Sequence, residues 1–389
     1  RTITMDPARV NALLGTNISA VGMYQYLERV EIHTEKRDFP NGPAPVSIPS
    51  WRSDVEGIAD LAEEVARFHG YNNIPVTLQR GETTRGGYTP EQKLERRLGA
   101  VCRACGYSEI ITYSFISPAA YDKIGWAPDE PLRDSLKILN PLGEDTSIMR
   151  TTALPSMLEV LSRNYNNRNR SARLYELGKV YLPGGPDGLA FEPQMLTLGA
   201  YGGEMDFFRI KGVVEALLRD LRAADVAFYP CKDDPSYHPG RCAGVCAGEQ
   251  HIGVVGQIHP AVAANYGVDT ELYCAELSFD ALLAVRGPGA EYIPLPRFPA
   301  VSRDIALVCR EEVSVGSLAA CIRRAGGKLL REAELFDIYR GTGVAPGSKS
   351  VAFSLTLRSD EGSITAAQAD GEVQTILAAL ERELGAVLR

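Results

Sequence analysis

The run Val351-Ala352-Phe353-Ser354-Leu355-Thr356-Leu357-Arg358 alternates large apolar residues with small or polar ones. A period of two puts Val351, Phe353, Leu355 and Leu357 on one face of a strand, so that face lies on a core. Before it in the chain, Ser302 to Val308 reads as a strand, Val315 to Ala325 as a helix and Leu329 to Tyr339 as a second strand. Downstream, a helix from Thr365 to about Leu384 and a short strand at Ala386 to Leu388 complete the module. The order β-α-β-β-α-β is the split-βαβ, ferredoxin-like arrangement, here assigned to residues 293–389.

Upstream, residues 89–292 have the look of a mixed α+β domain on a mostly antiparallel sheet. Thr89-Pro90 supplies an N-cap and an N1 proline, followed by Leu94, Leu98, Val101 and Cys105 at helical spacing. After Gly106, the runs Ile110 to Phe115, Leu154 to Tyr165, Arg173 to Leu182, Met195 to Tyr201 and Phe208 to Ala223 alternate strand-like and helix-like character. Gly244 to Ala247 and His251 to Ile258 read as a hairpin across Gly248-Glu249-Gln250. The polar, glycine-bearing stretch 76–88 is a linker.

Residues 1–75 form a small helix-rich module. Asp6-Pro7 opens a helix that Gly15 stops, and Ser19 caps a second one that runs to about Arg29. The proline- and glycine-rich stretch Phe39 to Pro49 breaks regularity, and a third helix spans about Asp54 to His69.

Bulk properties narrow the function. A chain of 389 residues with 45% hydrophobic residues is long enough for two or three cores. No stretch approaches the roughly 20 apolar residues that span a bilayer, so the expected location is the cytoplasm. Eight cysteines without dense even spacing read as buried small hydrophobes in a reducing compartment. The net charge of −8 argues against a purely electrostatic nucleic-acid binder, and any RNA contact must be local or shared with a partner.

The sharpest constellation is Trp51-Arg52-Ser53-Asp54 followed by Asp60, Glu63 and Glu64. On a helix, the last three share a face and repel one another unless a hard cation offsets them. Carboxylate oxygens are the ligands Mg²⁺ prefers, and Asp54 reaches the same ion if the chain bends near Gly57. Spacing alone leaves two readings open, an ion site and an acidic helix start favoured by the macrodipole. Cys102-Arg103-Ala104-Cys105 has redox spacing but sits at a helix C-terminus, where the dipole raises thiol pKa, and reads as core. Cys242 and Cys246 on one strand are too far apart for a single tetrahedral zinc.

The run Trp51 to Asp54, then Asp60-Leu61-Ala62-Glu63-Glu64-Val65-Ala66-Arg67 and Gly70-Tyr71-Asn72-Asn73-Ile74-Pro75, resembles a signature of bacterial phenylalanyl-tRNA synthetase β subunits. So do Asn140-Pro141-Leu142-Gly143-Glu144-Asp145, Met149-Arg150-Thr151, Leu174 to Tyr181, His238-Pro239-Gly240-Arg241 and Gly256 to Pro260. Phe298 to Ile305, Phe336 to Gly341 and Lys349-Ser350 are similar to that family's ferredoxin-like anticodon-binding domain. The matches are collinear and cover nearly the whole chain, as its C-terminal portion.

This resemblance implies an α+β multidomain chain: a metal-binding module, a degenerate class II aminoacyl-tRNA synthetase-like core and an anticodon-binding domain. It implies Mg²⁺ at Asp54, Asp60, Glu63 and Glu64, completed by a partner glutamate. It implies tRNA contacts at Arg303, Tyr339, Arg340 and Lys349. The partners are a catalytic α subunit, in an (αβ)₂ heterotetramer, and tRNA(Phe), with no membrane and no DNA. The joint activity is ATP-dependent attachment of phenylalanine to tRNA, with ATP bound in the α subunit. No active site is expected here: Arg173-Leu174-Tyr175-Glu176 echoes one catalytic motif, but Tyr273 to Ser278 lacks a Gly-x-Gly-x-x-Arg arrangement. Adenylate formation without a cation at the α-phosphate loses its main electrostatic support. Arg163, Arg168, Arg170 and Arg173, interleaved with asparagines, suit tRNA backbone, an acidic patch on the α subunit or a solvated helix end. Two competing readings are a stand-alone class II ligase with an unusual catalytic set and a free-standing RNA-binding or interaction protein.

Overall fold

Val351, Phe353, Leu355 and Leu357 are all buried, on strand Ser348–Leu357. That strand pairs antiparallel with Val301–Arg310 on one side and Leu330–Tyr339 on the other, and Val387–Leu388 adds to the far edge of Val301–Arg310. Helices Val315–Ala325 and Ala366–Leu384 cover one face, with Leu318, Ile322, Ile376 and Leu380 in the core. Ser314 and Thr365 cap them, each accepting a backbone N–H three residues on, and Gly385 ends the second in the left-handed region at φ 60°. The ferredoxin-like order is therefore present. Strand Leu330–Tyr339 is an open edge, and its Arg331, Glu332, Glu334 and Asp337 discourage pairing with another chain.

The computed structural model describes residues 1–34 and 41–389, which divide into two units, Arg1–Gly87 and Tyr88–Arg389. The second unit holds the ferredoxin-like sheet and a larger seven-stranded one. Across the larger sheet the order is Ser108–Glu109, Ser171–Lys179, Gln194–Gly202, Leu272–Ser278, Gln250–Ile258, Tyr237–Ala247 and Val226–Pro230. Every pairing is antiparallel except the first. Helices Pro90–Ala104 and Phe207–Asp220 contribute Leu94, Leu98, Ile210, Val214 and Leu217 to one buried cluster. Helix Leu154–Asn166 contributes Leu154, Met157, Leu158 and Leu161 to another, with Leu174, Leu272 and Cys274. Burial on both faces explains why these strands read as apolar runs without alternation. At Gly199 a Cβ would sit 2.5 Å from the Met157 sulfur, so glycine lets that helix approach the sheet.

Three expectations need correction here. Of Ile110 to Phe115, only the flanks form strands, Ser108–Glu109 and Phe115–Ile116, because the intervening backbone bonds outward, Ile110 N–H to Tyr175 and Ser114 C=O from Arg150. The hairpin turn is two residues, Gly248-Glu249, with Gly248 at φ 57°, and Gln250 already pairs with Ala247. In the first unit, the proline- and glycine-rich stretch contains strand Ala44–Ser47, sandwiched between Thr2–Met5 and His33–Thr34. Burial of Ala44, Val46 and Ile48 outweighs the proline signal at Pro45; Phe39 and Pro40 lie outside the described residues.

Helices Pro7–Leu14 and Ala20–Glu28 sit where their caps place them: Asp6 accepts from Ala8 and Arg9, Ser19 from Gly22, and Gly15 takes φ 66°. The third helix begins at Ile58 instead of about Asp54, since Gly57 is extended and acts as its N-cap. Its Leu61, Ala62 and Val65 pack against Val10, Met23, Tyr24 and Leu27.

Candidate functional site

The late helix start decides the geometry of the acidic set. Asp60, in the first turn, bends back and accepts the N–H groups of Glu56 at 2.8 Å and Gly57 at 2.7 Å, and these bonds hold its carboxyl below the usual range. Asp54 lies outside the helix and receives Arg52 at 2.7 Å, and that guanidinium likewise keeps it low. Arg52 also reaches Glu64 at 2.7 Å, and Arg67 binds the other oxygen of Glu64. Burial pushes the Glu64 carboxyl up, but the two guanidinium bonds prevail and hold it below its ordinary value. Glu63 is exposed.

The four expected ligands are therefore not brought together. Among the described residues, no group of three or more His, Cys, Asp or Glu is placed to hold a metal. As the side chains stand, they do not fit Mg²⁺, because Arg52 fills the position between Asp54 and Glu64 that a cation would take. Arg52 is inside the quoted motif, yet nothing in the spacing marks it as the bridging cation.

In the larger sheet, Glu176 opposes Thr197 and Thr197 opposes Glu276, so one face carries a polar row across three strands. Arg150, 1% exposed, sends its guanidinium to both Glu176 oxygens at 3.3 and 3.4 Å, to the Thr112 hydroxyl at 2.7 Å and to the Lys179 carbonyl at 2.9 Å. The Thr112 hydroxyl in turn donates to Glu176 at 2.9 Å. Glu276 receives the Thr152 hydroxyl and the N–H groups of Ala153 and Leu154 at the start of helix Leu154–Asn166. Burial pushes its carboxyl up to about 7.

A carboxyl near neutrality is the kind of group that catalysis uses. Here it is half-buried beneath a helix end, where its bonds position the chain. The Tyr273 to Ser278 stretch, read as lacking the catalytic arginine, is the strand that carries it. A cleft of 770 Å³ lies toward the Val226–Pro230 edge of the sheet, lined by Phe208, Lys211, Phe228, Tyr229, Arg241 and Tyr273 among others. Its Arg241 is already bonded to Gln257 and Glu271. Cys102 is buried, which pushes its thiol up to about 12, the behaviour of a core residue.

In the ferredoxin-like sheet, the four expected RNA-contacting residues separate into two places. Arg303, near the start of its strand, binds Asp370 of the covering helix at 2.8 Å. Tyr339, Arg340 and Lys349 gather at the other end, around Glu311 and Thr342. Arg340 holds Glu311 through bonds of 2.6 and 3.0 Å. The Lys349 ammonium, on a buried residue, donates to the Glu311 carbonyl at 2.8 Å, and the Tyr339 hydroxyl to the Thr342 carbonyl at 3.3 Å. Glu311 had no signal in the sequence, since it stands 29 residues from Arg340.

Sequence reasoning also missed a surface. Ile111, Tyr113, Leu139 and Leu142 are each more than four-fifths exposed. Their segments are knit together by Arg150 N–H to Ser114 C=O, Met149 N–H to Leu136 C=O, Ile138 N–H to Ser147 C=O and the pairing of Phe115 with Met149. The available signal was an apolar run, Ile110 to Phe115, that no regular element required.

Comparison with known proteins adds three collinear family matches. Residues 74–279 match the phenylalanyl tRNA synthetase beta chain CLM domain, 3–71 the tRNA synthetase B5 domain and 296–389 the ferredoxin-fold anticodon binding domain. Relatives named phenylalanine–tRNA ligase beta subunit are 40% identical over 390 residues in Clostridium tetani and 41% identical over 399 in Moorella thermoacetica. In both, the match takes in 100% of this chain and 49% of the relative. The chain thus spans about half the length of the curated relatives it matches.

Proposed function

Because the chain belongs to the phenylalanyl-tRNA synthetase beta chain family, we propose that it works within the β subunit of a cytoplasmic phenylalanine–tRNA ligase. It supports ATP-dependent attachment of phenylalanine to tRNA(Phe) by scaffolding a catalytic α subunit, which binds ATP, in an (αβ)₂ assembly, and by holding tRNA. Its larger sheet is a class II synthetase-like core without a catalytic set of its own.

The observation that carries this reading is a contrast within the core. The Arg150–Glu176 pair on its sheet is buried, while Ile111, Tyr113, Leu139 and Leu142 stand in water. Exposed apolar side chains clustered on one surface mark a protein interface. The test is sedimentation of the full-length β subunit mixed with the α subunit. Wild type should run as one assembly and should exchange pyrophosphate only with α present. Leu139→Glu with Leu142→Glu should leave the two subunits separate while the melting midpoint holds. Exchange by the β subunit alone would favour the stand-alone ligase instead.

For the acidic set, Arg52 and a divalent cation exclude each other at Asp54 and Glu64. Arg52→Ala should then bind Mg²⁺ more tightly than wild type in calorimetry. Equal affinities would remove the competition.

A further inference from the structure

Helix Leu154–Asn166 ends in a Schellman motif, with Asn169 N–H on the Asn164 carbonyl at 3.1 Å and Arg168 N–H on the Tyr165 carbonyl at 2.8 Å. The residue that must enter the left-handed region there is Arg168, at φ 64°. Glycine is the usual occupant, and a long side chain is strained in that conformation. An arginine at such a position points to a use for its side chain.

The turn is also rigid. Tyr201, buried on the sheet, donates its hydroxyl to the Asn169 carbonyl at 3.0 Å and meets the Tyr165 ring edge-on at 5.9 Å. Asn169 bonds Asn164 at 2.8 Å, and Asn164 bonds the Val160 carbonyl at 2.9 Å.

On this turn Arg163, Arg168 and Arg170 are exposed, and among the described residues none of them forms an ion pair or a side-chain hydrogen bond. Two clefts meet at Asn166. One, of 450 Å³, takes in Arg168, Asn169 and Arg170; the other, of 410 Å³, takes in Arg163, Asn167 and Lys123, with Glu159 as its carboxylate. In a chain of net charge −8, unpaired guanidinium groups held on a rigid turn are a local exception.

We propose that the turn Arg163–Arg170 binds the phosphate backbone of tRNA, as a contact separate from the ferredoxin-like domain. The proposal rests on the family reading, which supplies the RNA. Charge complementarity selects a polyanion. The absence of any exposed large hydrophobic residue between Leu142 and Leu189 selects nucleic acid over a protein partner. Protein interfaces have apolar centres, whereas nucleic-acid interfaces are polar and strongly cationic. Tyr165 and Tyr201 are engaged with each other, so the contact positions backbone without reading bases.

The experiment measures binding of tRNA(Phe) transcript to the full-length β subunit assembled with its α partner, across a salt series. The variant is Arg163→Gln, Arg168→Asn and Arg170→Gln, asparagine being chosen because it tolerates the left-handed region. Loss of three phosphate contacts should lower affinity by roughly an order of magnitude near 0.1 M salt and flatten the log–log salt slope by about two. Subunit assembly and melting should not change. Arg163→Gln alone, which leaves the turn untouched, should give about a third of the slope change.

Wild-type and variant curves that coincide would overturn the contact and leave the family reading standing. A variant that fails to assemble yet binds tRNA normally when forced together makes the turn a protein interface, and also overturns it. A wild-type assembly that binds no tRNA sinks both this contact and the tRNA role.

Discussion

Two arginine–glutamate pairs show how differently the same chemistry behaves in two regions. Arg150 and Glu176 in the larger sheet have side chains 1% and 4% exposed, whereas Arg340 and Glu311 in the ferredoxin-like sheet are 57% and 47% exposed. The first pair is locked by Thr112 and the Lys179 carbonyl and has no access to a ligand. The second is open to water, where screening leaves it little hold on its own geometry. A buried pair therefore builds the scaffold, while an exposed pair is free to change partners.

The largest effect is expected at the buried pair. Arg150→Met leaves buried Glu176 without its cation, and denaturant melts should show a loss of about 3–5 kcal/mol. Adding Glu176→Leu should recover much of it. A single variant within about 1 kcal/mol of wild type would mean the core pair behaves like a surface one.

Next comes Glu276, which sharpens the picture of a core that keeps its charges neutral or paired. Its folded carboxyl is raised to about 7 from an ordinary 4.5 by burial. The folded state then holds a proton that the unfolded chain has released, so this contribution is fully present below pH 4.5 and is lost as pH rises through 7. Across that window the loss is up to about 3 kcal/mol. Glu276→Gln should remove it, and parallel stability–pH curves for the two proteins would show that the carboxyl is already ionised in the fold.

The smallest effect belongs to the exposed pair. Arg340→Gln should leave the melting midpoint where it is and weaken tRNA binding modestly and in a salt-dependent manner, since the guanidinium leaves Glu311 for a phosphate. A clear drop in midpoint with unchanged tRNA affinity would reverse the comparison.

How far each feature could be read in advance follows the range of the force that makes it. Helix Val315–Ala325, the start of the last helix at Thr365 and the alternation at 351–357 depend on residues within a turn or a strand of each other, and all were legible. The acidic set was legible as a motif but not as a geometry. Its convergence depended on where one helix begins and on what Asp60 does with its carboxylate. Strand Ala44–Ser47 was hidden because its evidence, a partner at Thr2–Met5, lies some forty residues away.

Sequence alone determined the β-α-β-β-α-β order of the last module, the ends of several helices and the motifs that mark the family, all from spacing and composition over short distances. Only the tertiary structure decided which charges are spent and which remain available. Arg150 is consumed by Glu176 across 26 residues, Thr152 by Glu276 across 124 and Arg303 by Asp370 across 67, while Arg163, Arg168 and Arg170 keep their charge to offer. Coulombic and hydrogen-bond partners are chosen by proximity after folding, and a count of residues along the chain holds no record of that proximity.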